Sequence, residues 1–154
     1  MKHNNLTRLL ALSLLITGIY SDCEKNNNYH GIPDVYVNFS INLNLPAYSG
    51  LNVIGGYYLF ENEGYKGIIV YHAPDDLFYA LETACPYHPM DSCAEVTPDL
   101  SGIFLRCGHY EGNDFFACCG SNYDMYGNVI KDPAVYPLKR YKTQRDGDMV
   151  YVFN

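Results

Sequence analysis

Apolar and polar residues alternate through Val35, Val37, Phe39, Ile41 and Leu43, the period-two signature of a strand with one buried face. Residues 46–50 break the pattern, 51–54 is expected to open a second strand, and Gly55-Gly56 turns the chain into a third at 57–60. The most continuous apolar run is 67–72. Pro74, Asp75 and Asp76 then make a tight turn, and 77–81 returns beside that run as a hairpin. No period survives through 84–101, where one helical turn is expected around 88–93. A short strand is predicted at 102–106 and a loop at 107–113. Turns follow at Gly120-Ser121, at 125–128 and at 132–134, then strands at 137–141 and 148–154. Aromatic and β-branched residues fill these runs, and no amphipathic helix of useful length is present. The expected fold is all-β: a small antiparallel β-sandwich or barrel with two cysteine-bearing loops.

Residues 1–22 do not share this pattern. Lys2 and Arg8 precede a short apolar run at 9–19, too short to span a membrane comfortably but fitting a secretory signal core. Cys23 follows almost at once, as in a bacterial lipoprotein signal, although Tyr20 and Asp22 are unusual there. Division of the chain is therefore expected as signal peptide 1–22, tether 23–33 and β-domain 34–154. A lipid on Cys23 would attach the protein to a membrane of the bacterial cell envelope. The alternative is plain secretion with Cys23 idle or disulfide-linked. The net charge of -7 argues against nucleic acid, whose phosphates require a basic patch.

Export favours disulfides. Five cysteines remain after Cys23, namely Cys85, Cys93, Cys107, Cys118 and Cys119; the number is odd, so at least one is free or otherwise used. The adjacent Cys118 and Cys119 could bridge each other only with strain. Cys85-Pro-Tyr-His88 and Cys107-Gly-His109 together offer two sulfurs and two imidazoles, a ligand set that suits zinc or an iron–sulfur centre of unusual spacing. His109 as an ordinary surface histidine is the competing reading. No catalytic triad spacing, phosphate-binding glycine loop or Cys-x-x-Cys pair is present, so catalysis is not expected.

Residues 118–141 begin with the pair Cys118-Cys119 and then carry Gly120, Ser121, Tyr123, Asp124, Pro133, Ala134, Pro137 and Leu138 in an order that resembles the second cluster-binding loop of Rieske iron–sulfur domains. Residues 67–88 resemble the strand pair and first loop of that family, and the resemblance extends over roughly 35–154. It implies a [2Fe–2S] cluster on two thiolates and two imidazoles. This chain departs from that set: Phe116 stands in the place of the second ligand cysteine, Cys119 in that of the second ligand histidine, and Tyr87 in that of the first, with His88 one residue late. Cys85 keeps its ligand place. By the same resemblance Cys93 and Cys118 match the cysteine pair that clips the two loops together, and Ser121 and Tyr123 match the hydroxyls that hydrogen-bond the cluster sulfurs. A disulfide between Cys85 and Cys119 is a further reading.

Three functions remain open on the sequence. The first is an exported, disulfide-stabilised structural or binding module that lacks the normal cluster and any cofactor. The second is an electron-transfer protein with a [2Fe–2S] cluster, or another metal such as zinc, on altered ligands drawn from Cys85, His88, Cys107, His109 and Cys119, and with a redox partner in the envelope. The third is an unrelated secreted β-domain that binds a surface partner.

Overall fold

The computed structural model describes residues 29–154. The predicted signal peptide, Cys23 and the first part of the tether lie outside the described residues. In chain order the elements are β1 (Asn38–Asn42), a 3-10 segment (Pro46–Asn52), β2 (Tyr57–Phe60), β3 (Ile68–His72), β4 (Phe78–Glu82), β5 (Val96–Pro98), β6 (Phe104–Glu111), β7 (Asp114–Asp124), β8 (Val129–Lys131), β9 (Arg140–Asp146) and β10 (Met149–Phe153). They form a six-stranded sheet in the order β1-β10-β9-β4-β3-β2 and a four-stranded sheet in the order β5-β6-β7-β8, with every pairing antiparallel. The all-β expectation holds.

Two cores explain the sequence pattern. Val37, Ile41, Phe78, Ala80, Val150 and Val152 pack with Ile68 and Val70 inside the curve of the larger sheet. Ile69, Tyr71 and Leu81 point the other way, against Val96, Leu105 and Tyr123 of the smaller sheet and against Cys85 and Cys107. β3 is thus a wall between two cores, buried at all five positions. A strand covered on both faces has no polar side to show, hence its unbroken apolar run. β1 covers one core only and keeps the alternation.

Three local expectations are corrected. Residues 51–54 are not a strand: Leu51 drops into the core from the 3-10 segment that Pro46 opens, and the chain then turns. Residues 88–93 form bends and turns rather than a helical turn. Residues 107–111 are not loop but the second half of β6, which pairs with β7 across Gly112 and Asn113. A two-residue Gly-Asn link between paired runs is a hairpin signal, and Gly112 supplies the positive φ (63°) it needs.

The segment 29–32 lies on the domain. The Tyr29 hydroxyl donates to the Pro137 carbonyl at 3.1 Å, the His30 ring stacks on Tyr136 at 3.5 Å, and Ile32 is fully buried.

Candidate metal centre

The end of the domain where β4 runs out and β6 meets β7 carries every described cysteine. The first cysteine loop, between β4 and β5, is tied down along its length. Cys85 N–H donates to the Ala94 carbonyl at 3.0 Å, Ala94 N–H to the Asp91 carbonyl at 3.0 Å, and Ala84 pairs with Glu95 as an isolated bridge. The Lys66 ammonium caps the same loop by donating to the carbonyls of Asp91 and of Ala94. Across from it, the β6–β7 ladder breaks. Arg106 pairs with Asn122 and Gly108 with Ala117, so Cys107 alone stands against the stretch 118–121. That excursion throws Cys118, Cys119, Gly120 and Ser121 out of the ladder toward the first loop.

Gly108 makes the break sterically tolerable. A Cβ there would lie 2.1 Å from the Phe116 carbonyl oxygen, and its φ of 141° suits glycine alone. Gly108→Ala is expected to force β6 and β7 apart and cost about 3 kcal/mol in chemical denaturation. A cost under about 0.5 kcal/mol would show that the strands part there without strain.

Cys93 and Cys118 form a disulfide that joins the two loops, with Cα atoms 5.4 Å apart. The pairing implied by the family resemblance is therefore present. Cys85, Cys107 and Cys119 are free, so the alternative Cys85–Cys119 bridge is not formed; those two sulfurs are 3.9 Å apart. The three free sulfurs lie within 4.8 Å of one another. Cys85 and Cys107 are buried, at 0% and 1% exposure, and Cys119 is half-buried. A cavity of about 30 Å³ adjoins them, lined by Tyr87, His88, Asp91, Ala94, Cys107, Cys118 and Cys119.

Two hydroxyls meet these sulfurs. The Tyr123 phenol oxygen, fully buried, lies 3.2 Å from Cys85 Sγ, and Cys119 S–H donates to Ser121 Oγ at 3.2 Å. Ser121 Oγ also accepts from Ala134 N–H at 2.8 Å, which fixes the 132–138 loop beneath the site. A hydrogen bond from Cys107 pulls the Cys85 pKa down to about 6 against the push of burial, and Tyr123 and Cys119 add to the pull. Cys107 is driven up, first by that same bond and then by burial. Burial, then its bond to Cys85, drives Tyr123 up. Among these bonded groups, negative charge is favoured on Cys85 over Cys107 or Tyr123.

The sequence's ligand pool divides here. Cys85, Cys107 and Cys119 converge, and His88 lines the adjoining cavity with a left-handed φ of 69°, a conformation that L residues adopt at some cost. His109 does not join them. The break in β6 turns the following residues outward, so its ring stacks on the half-exposed Phe116 at 5.7 Å and faces Glu111 at 3.5 Å. The composite Cys85, His88, Cys107, His109 set is corrected accordingly: Cys119, not His109, completes the group with Cys107. Phe116, which stands in the cysteine place of the family resemblance, sits on the hairpin opposite His109 and is half-exposed.

A Rieske cluster does not fit these residues. It needs two imidazoles facing two thiolates. Among the described histidines, His72 is held by the Leu51 carbonyl and Asp76, His30 stacks on Tyr136, and His109 faces solvent, which leaves only His88 near the sulfurs.

No family model matches the chain, and no curated protein matches it. Among solved structures, the chain is similar to the crystal structure of the cyanobacterial plasma membrane Rieske protein PetC3 from Synechocystis PCC 6803, at 22% identity and a TM-score of 0.43, over 56% of this chain and 75% of that one.

Proposed function

We propose that this is an exported, disulfide-stabilised β-domain, attached to the cell envelope through a lipid on Cys23, whose cysteine end binds a thiophilic metal instead of the ordinary Rieske cluster. The observation that carries the metal reading is the convergence of three free thiols, two of them buried, from three different elements of the fold. Buried thiols that merely fill space have no reason to share one point. Metal affinity, by contrast, rises when ligands are fixed in advance by the surrounding structure. Here the disulfide fixes Cys119 through its neighbour Cys118, and the ladder break fixes Cys107.

The hydroxyls of Tyr123 and Ser121 favour a second role for the same centre, a one-electron carrier with an envelope redox partner. Hydrogen bonds to ligand sulfur withdraw charge and raise a reduction potential. Purification of the full chain from membranes under anaerobic conditions tests both. The expected result is one metal equivalent per chain, lost when Cys85, Cys107 and Cys119 are alkylated. Cys23→Ala is expected to move the protein out of the membrane fraction. A reversible one-electron couple in the same sample would mark a carrier, and its absence a binding module. A metal-free protein that takes up no added metal would overturn the metal reading, and one that stays membrane-bound without Cys23 would overturn the anchor.

A further inference from the structure

We propose that Cys85, Cys107 and Cys119 bind a single monovalent copper ion in a three-sulfur, near-trigonal arrangement. This rests on the metal centre proposed above and specifies its ion. The distances speak for one metal atom. Three sulfurs bound in a plane at about 2.3 Å from a common centre stand about 4 Å from one another. Cys85 and Cys119 are 3.9 Å apart, and all three sulfurs fall within 4.8 Å. A two-iron cluster instead divides its four protein ligands between two metal atoms. The adjoining cavity of about 30 Å³ is small as well, with room on the order of one or two waters.

The donor set selects the ion. Structural zinc takes four ligands in a tetrahedron. Among the described residues no fourth cysteine, histidine or carboxylate joins the three sulfurs within that distance. Three thiolates without oxygen or nitrogen donors form a soft site, and monovalent copper is the soft ion that accepts such a site. Binding releases the thiol protons to solvent, and the copper stays monovalent, so no oxidant or reductant is consumed. The charge left on sulfur has two hydroxyls to receive it: Tyr123 beside Cys85, and Ser121 beside Cys119, which can turn from acceptor to donor once Cys119 is deprotonated.

The test uses the full chain carrying Cys23→Ser, with the Cys93–Cys118 disulfide intact, titrated anaerobically with Cu(I) against a chromophoric Cu(I) chelator and separately with Zn(II). One Cu(I) per chain is expected, with an X-ray absorption first shell of three sulfurs. Cys107→Ser and Cys119→Ser are each expected to weaken binding by about a hundredfold or more, and His88→Ala to leave it unchanged. The absorption spectrum of the unsubstituted cysteine triad decides the matter even if a variant misfolds. Preferred binding of Zn(II) with nitrogen from His88, or of two metal atoms, would overturn the copper assignment while leaving a thiolate metal centre. Absence of thiol-dependent binding for either ion would overturn both.

Discussion

Replacement of Glu82 by alanine is expected to lower the stability of the domain by about 4 kcal/mol, read as a fall in the urea midpoint. Glu82 has no exposure to solvent. Its two carboxyl oxygens accept from Tyr65 N–H at 2.8 Å, Lys66 N–H at 2.9 Å, Ala84 N–H at 3.3 Å and the Tyr141 hydroxyl at 2.7 Å. One side chain thus holds the turn after β2, the exit of β4 and the start of β9 together. Even the turn glycine answers to it, because a Cβ on Gly64 would lie 2.6 Å from Glu82 Oε2. Alanine would leave those donors buried without acceptors, which costs more than the bonds themselves contribute. Glu82→Gln keeps the volume but turns one acceptor into a donor, and about 2 kcal/mol is expected. Cys85 lies three residues further on, so the alanine variant is also expected to weaken the metal binding proposed for the cysteine end. Equal midpoints for all three proteins would show that water replaces the carboxylate without loss.

Removal of the disulfide by Cys93→Ala with Cys118→Ala carries the second large effect. The bridge closes a loop with a sequence separation of 25, and the chain-entropy account gives about 3 to 4 kcal/mol for a loop of that size. Domains of this size have about 5 to 15 kcal/mol in total, so the loss is a large share. The local effect should exceed the global one. Cys119 is the neighbour of Cys118, and without the bridge its bond to Ser121, the Ser121–Ala134 bond and the ladder break are left to hold it near Cys85. Reduction of the native protein with excess dithiol is expected to reproduce the same fall in midpoint. A midpoint unaffected by either treatment would mean that the loops stay docked by packing alone.

Much of the fold could be read from the chain, for reasons that differ between strands. β1 and β10 announce themselves by alternation because each covers one core. β3 announces itself by continuity because it separates two. Reading failed where a single residue decides the local path. Leu51 is the lone anchor of the 3-10 segment, and one buried residue sets no period. The second half of β6, with Gly108, His109, Tyr110 and Glu111, is polar because its hairpin projects from the body, although the Gly-Asn link at its tip was a usable signal. The site was legible in part. Motif order pointed to Cys85, Cys119 and the Cys93–Cys118 pair. The place of Cys107 depends on how Gly108 breaks the ladder, and a contact between strands has no trace in local spacing. Glu82 left no signal either, since a carboxylate at a strand end reads as solvent-facing until the donors around it are known.

Tyr29, His30 and Ile32 leave a mark on orientation. The chain enters the body beside Pro137 and Tyr136, with Gly31 against Pro89 of the first cysteine loop. Five residues separate Cys23 from Tyr29, and the six Cα–Cα steps between them reach at most about 20 Å when fully extended. With the lipid anchor proposed at Cys23, a domain moored by so short a line presents the pole where the line is fastened. The thiols would then face the bilayer and whatever lies at its surface, with the opposite pole turned toward open solution.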